Sequence, residues 1–337
     1  MRLRIGLYFS LVVFSLFVFF SQAQATVPFQ DPYQDGFVFV TWATYADADL
    51  SKMLSRVRQT GSQHITIPYF GCQSSKTSND VGACSVGSQE QALRVAKLAR
   101  NMGFGATFLP IVVTPKWDWR GEFEPSDIDA WFASYKAWLK GLAQISSDLG
   151  MSELVVGSEF SKIYEYGSRW SDLLNEFHAL YKMPLVVTVN WSKLDYSFWA
   201  QADAIGVSVY FPLTAQDTAT QNDLDAGAME IKNKIMKVSK KWNLPLYFTE
   251  FGFPSTKLAA KAPWQAQASD GEDMDQQHAC FEAFRKAWGE EKTLVRAMVW
   301  ATSDLNATDY HFSYEILGKP AEESVATFFS SRNELSH

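Results

Sequence analysis

The chain has 337 residues, 37 acidic against 30 basic, and a formal net charge of −7. That balance argues against a nucleic-acid partner, because binding to phosphates rests on clustered Lys and Arg. No His/Cys cluster has zinc-ligand spacing and no Gly-rich phosphate loop is present, so neither a metal nor a cofactor is expected.

Arg2 and Arg4, an apolar stretch from Ile5 to Phe20 and the small-residue site Ala23-Gln24-Ala25 follow the order of a secretory signal peptide. Cleavage after residue 25 leaves residues 26–337 with 28 basic and 37 acidic side chains, a net charge of −9. A retained anchor is the alternative, but the apolar run is short for a membrane span. The expectation is a secreted or periplasmic protein, free of the membrane once cleaved and monomeric. No linker composition or solenoid repeat interrupts residues 26–337, so one domain is the simpler account.

Short apolar or β-branched runs then recur along the chain, at 36–42, 64–70, 105–113, 153–159, 184–190, 204–210, 245–250 and 295–300. The segments between several of them are helical. Leu50, Met53, Leu54 and Val57 have the i, i+3, i+4, i+7 spacing of a helix with one buried face. Past Pro125, Ser126 and Asp129 have capping-box spacing, opening a helix that carries Trp131, Phe132, Tyr135, Trp138, Leu139 and Leu142 before Gly150. Leu224, Ala228, Ile231, Ile235 and Val238 form another stripe. Eight strands alternating with helices predict an α/β fold, a single (β/α)8 barrel. The weakest alternation is 195–200, which has room for one or two turns; a doubly wound open sheet is the alternative.

Three cysteines in an exported protein imply at most one bridge. Cys72 and Cys84 share the polar segment 71–88 and are the expected pair, against the alternative of two unpaired loop thiols. Cys280, on a helical pattern, reads as a small buried residue.

Glu159 and Glu250 each close an apolar run. A strand buried on both faces is continuously apolar, so each carboxylate stands at a strand's C-terminal end, where a barrel builds its active site. Taken singly, each could be an ordinary surface acid. Together, converging on one mouth, they form the carboxylate pair of glycoside hydrolysis. The other mouth-end residues are those of a sugar site: Trp42, Trp117, Trp119, Arg120, Asn190, Trp191, Tyr210 and Trp300. Aromatic faces stack on pyranose rings, and amides and carboxylates bond hydroxyls. Any single Trp could equally be core.

At these residues the chain resembles the clan of retaining (β/α)8 glycoside hydrolases with catalytic glutamates on strands four and seven, and most nearly glycoside hydrolase family 113, a β-mannanase-like group. The resemblance spans nearly all of residues 26–337. It rests on Gly36 to Trp42, Trp119-Arg120-Gly121-Glu122, Ala130 to Tyr135, Val156-Gly157-Ser158-Glu159, Val189-Asn190-Trp191, Ala204 to Leu213 and Thr249-Glu250-Phe251-Gly252-Phe253-Pro254. It implies Glu159 as acid/base and Glu250 as nucleophile. Three features depart from the family pattern: Ile111 after Pro110 in place of a histidine, the strand-eight end Trp300-Ala301-Thr302-Ser303-Asp304, and the cysteine-bearing loop.

The expected function is a retaining, endo-acting hydrolase of a β-1,4-linked hexose polysaccharide, with Tyr210 orienting Glu250, Asn190 near the reacting centre, and Trp42 and Trp300 as the stacking floor. Trp117, Trp119 and Arg120 would shape neighbouring subsites, unless Arg120 merely pairs with an acid such as Glu122. Alternatives are a lysozyme-like hydrolase of bacterial cell-wall glycan, including deacetylated peptidoglycan, a transglycosylase, and a non-hydrolytic carbohydrate-binding barrel that would need neither glutamate.

Overall fold

A computed structural model of the chain describes residues 26–41, 44–84, 89–302 and 313–336. The expected leader 1–25, Trp42, and Ser303 and Asp304 lie outside the described residues. The strands are β1 (Gly36–Phe39), β2 (His64–Cys72), β3 (Gly82–Ala83), β4 (Gly105–Val113), β5 (Leu154–Ser158), β6 (Leu185–Asn190), β7 (Ala204–Val209), β8 (Leu246–Phe251) and β9 (Leu294–Thr302). All but β3 run parallel and close on themselves. β1 pairs with β2 and β9, the ladder continues β9-β8-β7-β6-β5, and β4 pairs with β2. At the seam between β4 and β5, Ser152 N donates to Ala106 O at 2.9 Å. The eight apolar runs are thus the staves of one α/β barrel. β3 is an addition, a two-residue strand folding back antiparallel on the end of β2.

Two apolar layers hold the barrel. Alternate residues point inward, where Val38, Val40, Leu109, Val155, Val186 and Met298 fill the interior; their neighbours Phe37, Phe39, Ile65, Val156, Val187 and Phe248 face the helices. This is the period-two division of a strand buried on both sides. The helices are α1 (Asp47–Arg58), α2 (Gln89–Asn101), α3 (Ile128–Asp148), α4 (Gly167–Leu180), α5 (Gln221–Trp242), α6 (Met274–Trp288) and α7 (Ala321–Asn333). The stripes read on α1 and α5 are buried, apart from Val238, which packs half-buried against the core.

One local expectation needs correction, and two local features complete the picture. The cap of α3 is Asp127, whose carboxylate accepts from Asp129 N and Ala130 N at 3.0 Å, while Ser126 Oγ donates to Asn79 Oδ1 at 3.2 Å; the shorter Asx reach wins because Ser126 is engaged across the loop. A true capping box opens α5 instead, between Thr220 and Asp223. Segment 195–200 forms only a 3₁₀ turn, Ser197–Gln201, so the connection between β6 and β7 has no α-helix.

Cys72 and Cys84 are disulfide-bonded, with Cα atoms 4.9 Å apart, and Cys280 is a buried free thiol. The expected result of thiol titration on denatured, unreduced protein is one thiol per chain; three would reject the bridge.

At the N-terminal ends of the strands the barrel is closed by charge. Glu153 accepts from Thr107 Oγ1 at 2.6 Å and lies 3.2 Å from Arg296 Nε, and Arg296 Nη1 is 2.9 Å from His64 Nδ1. Outside this group Arg332 of α7 pairs with Asp35, both fully buried, and Asp35 Oδ1 also accepts from Ala297 N at 2.6 Å. Removing one partner strands the other without solvent. Arg332→Met should therefore lower unfolding free energy in urea by about 3–5 kcal/mol, with turnover of the folded fraction intact, because the candidate site is at the opposite end.

Candidate active site

The C-terminal ends of the strands open into one cavity of about 700 Å³. Its lining includes Trp117, Trp119, Arg120, Glu159, Asn190, Trp191, Tyr210, Glu250 and Trp300. Every candidate read from the sequence is therefore in one place except Trp42, which lies outside the described residues.

Each side chain is delivered by a strand end. Glu159 follows the last residue of β5; its N–H continues the ladder to Thr188 O at 2.8 Å, and its φ of +54° turns the chain into the left-handed region. A non-glycine residue held there stores about 1–3 kcal/mol of strain, a cost that recurs at functional sites. Glu250 lies in β8 opposite Ser208 of β7. Tyr210, one residue beyond β7, donates its hydroxyl to Glu250 Oε2 at 3.1 Å. Asn190, the last residue of β6, donates Nδ2 to Glu159 Oε1 at 2.9 Å.

Arg120 sits between the acids. Its Nη2 is 2.7 Å from Glu159 Oε2 and 3.9 Å from Glu250 Oε1, while its Nε donates to Ser158 O at 3.0 Å. It therefore reaches the carboxylates as well as lining the cavity, and Glu122, the alternative partner, pairs with Lys76 at 3.1 Å. The loop holding Arg120 is built for this approach. A Cβ on Gly121 would lie 2.4 Å from the Trp119 indole, so glycine lets that ring lie flat against the loop. Lys162 N donates to Gly121 O at 3.2 Å and ties the loop to the segment after β5.

The facing oxygens of Glu159 and Glu250 can be no farther apart than their two distances to Arg120 Nη2 laid end to end. That favours the retaining separation, about 5–5.5 Å, over most of the inverting range of about 6.5–9.5 Å. Both carboxylates are buried. Burial, then the neighbouring Glu159 charge, push Glu250 up to about 8, against the lowering effects of Arg120 and the Tyr210 hydroxyl. Burial and the neighbouring carboxylate thus favour the protonated form of Glu250. Both Glu159 oxygens accept from donors, whereas Glu250 Oε1 is buried without a hydrogen-bond partner.

The walls are aromatic. Trp117 and Trp119 are 52 % and 43 % exposed on the loop after β4, and Trp264, 49 % exposed, stacks on Trp191 with ring centroids 5.5 Å apart. Trp264 and Tyr314, which also line the cavity, escaped sequence reading: both lie in long connections beyond β8 and β9, and attention to strand ends cannot reach them. The available signal was a tryptophan in the otherwise polar segment 261–273. Ile111 also lines the cavity, giving an apolar surface where the resemblance leads one to expect histidine.

A parallel eightfold barrel with two buried glutamates at the fourth and seventh barrel strands, β5 and β8, defines a glycoside hydrolase of the retaining (β/α)8 class. The profile of Glycoside Hydrolase Family 113 matches residues 36–317, and the chain belongs to that family. Among solved structures, a family 113 β-mannanase from Alicyclobacillus acidocaldarius, in complex with ManMIm, is similar over 90 % of this chain and 99 % of its own, with a TM-score of 0.79 at 21 % identity. A family 113 β-1,4-mannanase covers 89 % of this chain and 99 % of its own, with a TM-score of 0.79 at 19 % identity. A GH5_18 protein from Streptomyces cattleya, carrying E153A and in complex with Manb1-4GlcNAc, covers 87 % of this chain and 79 % of its own, with a TM-score of 0.60 at 13 % identity. No curated protein matches the chain significantly. Among the described residues no helix is long and apolar enough to cross a membrane, and no group of three or more His, Cys, Asp or Glu could hold a metal ion.

Proposed function

We propose that this chain is an exported, endo-acting hydrolase of a β-1,4-linked mannan-type polysaccharide that works by double displacement. The observation carrying the proposal is the close approach of Glu159 and Glu250 across one guanidinium, inside a cavity flanked by half-exposed tryptophans. Glu250 attacks the anomeric carbon while Glu159 protonates the leaving oxygen; Glu159 then removes a proton from the water that releases the sugar. Tyr210 fixes the attacking carboxylate through its hydroxyl, and Asn190 holds the acid/base toward the cleft. The family membership and the mannanases among the similar folds favour mannan as the backbone.

Deacetylated cell-wall glycan is the second reading, supported by the acidic chain, which suits free amino groups on the sugar, and by Ile111 in the cavity wall. Product assays on mannan, cellulose, chitosan and native or deacetylated peptidoglycan separate the two. Cleavage of mannan with release of oligosaccharides is expected; intact mannan beside degraded deacetylated glycan would replace it with the second reading.

Tryptophans on separate loops imply that several sugar units are held at once, and binding at remote subsites lowers the barrier at the reacting bond. kcat/KM should rise with oligosaccharide length. Trp264→Ala should cut that gain, lowering kcat/KM on hexaose by up to about tenfold while sparing a short aryl glycoside, since one stacked ring contributes about 0.5–1.5 kcal/mol. Equal loss on both substrates would place Trp264 outside the binding path.

A further inference from the structure

Arg120 stands where charge must be exchanged. During double displacement the two glutamates carry one negative charge between them at every stage, and only its position changes. Before attack it is on Glu250. As the Glu250 oxygen bonds to the anomeric carbon, the bond to the leaving oxygen breaks and takes the proton of Glu159, so the charge moves to Glu159. When water adds, its proton goes to Glu159, the bond between sugar and Glu250 breaks, and the charge returns to Glu250. A fixed cation beside one carboxylate would help one half of this cycle and oppose the other.

Arg120 is the only Lys, Arg or His among the described residues lining the cavity. Its Nε is anchored on the Ser158 carbonyl at 3.0 Å, and Nη2 is 3.3 Å from Ser158 Oγ. The same Nη2 is in closer contact with Glu159, 2.7 Å away, and stands 3.9 Å from Glu250 Oε1, the oxygen that has no hydrogen-bond partner. Pivoting about the Ser158 anchor by the difference between those two distances would transfer the contact. The arrangement observed places the guanidinium where the covalent stage needs it, against Glu159 and away from Glu250.

We infer that Arg120 is the shared counter-ion of the two glutamates, a positioning residue whose guanidinium swings between Glu159 and Glu250 as the negative charge passes between them. The inference rests on the double-displacement reading given above. The other polar and ionisable groups facing the pair are Asn190, Tyr210, Tyr314 and Asp118 on the cavity wall, with Tyr135 and Tyr164 behind Arg120; none can supply a positive charge.

The test titrates the pair directly, by carbon-13 NMR of side-chain-labelled glutamate in the full chain, comparing wild type, Arg120→Met, Arg120→Gln and Arg120→Lys. An opposite charge within about 4–6 Å favours the ionised form. Both apparent pKa values of the pair should therefore move up by about one or more in the Met and Gln variants and stay near wild type in the Lys variant. The pH profile of kcat/KM on an oligosaccharide should show the same displacement of both limbs, restored by lysine. Neutral variants that titrate as wild type would overturn the inference, as would a pH profile that merely scales down without moving. The NMR arm needs no turnover, so a wild-type protein inactive on every β-linked glycan would sink the hydrolase reading while leaving the charge sharing to be judged on its own.

Discussion

Glu250→Gln is expected to reduce turnover of β-linked polysaccharide by about four powers of ten, because it removes the group that forms the covalent bond. Substrate binding should persist, since the aromatic walls are untouched. Stability gives an independent check with a definite sign. The folded-state affinity of Glu250 for its proton is raised from 4.5 to about 8 by burial and by Glu159. The stability it contributes is complete below the unfolded value near 4.5, declines as pH rises, and is gone above about 8. The Gln variant cannot ionise there, so its melting temperature should fall less than that of wild type between pH 6 and 9. A variant with more than about a tenth of wild-type turnover would end the nucleophile assignment, and an unchanged pH dependence of melting would contradict the buried, proton-holding carboxylate.

Glu159→Ala should fail in a different way. A substrate with a good leaving group needs no proton in the first step, so the glycosyl-enzyme forms and then waits for a base that is missing. On a dinitrophenyl glycoside, release of the phenol should show a burst followed by turnover slowed about 100-fold or more. Azide, which needs no base, should restore turnover and yield a β-glycosyl azide. An α-azide would establish inversion, and absence of rescue with both activated and natural substrates equally slow would remove Glu159 from the acid/base role.

The barrel was legible because each β/α unit repeats one signal: an apolar run too short for a helix, then a 3.6-period stripe. Where the local signal failed, a tertiary contact had taken over. Ser126 has the chemistry of a cap but is drawn to Asn79, leaving Asp127 to close the helix. The missing helix before β7 was visible as a shortage of residues. At the site, Glu159 and Glu250 stood out as a pair, because two carboxylates closing apolar runs of one barrel converge on one mouth, where either alone could be a surface acid. The role of Arg120 did not, since nothing local distinguishes pairing with Glu122 from reaching across the barrel to Glu159. Trp264 and Tyr314 were hidden for the same reason: their positions depend on how long loops fold over the mouth, which no periodicity records. The buried pairs Glu153–Arg296 and Asp35–Arg332 join residues far apart in sequence and leave no pattern along the chain.

The most direct test follows the hydrolysis of mannohexaose by proton NMR in the first minutes of reaction, before the anomers equilibrate, with wild type and Glu250→Gln side by side. The account predicts internal cleavage by wild type, the new reducing end appearing first as the β-anomer, and no cleavage by the variant. First appearance of the α-anomer, or equal cleavage by the two proteins, would contradict it.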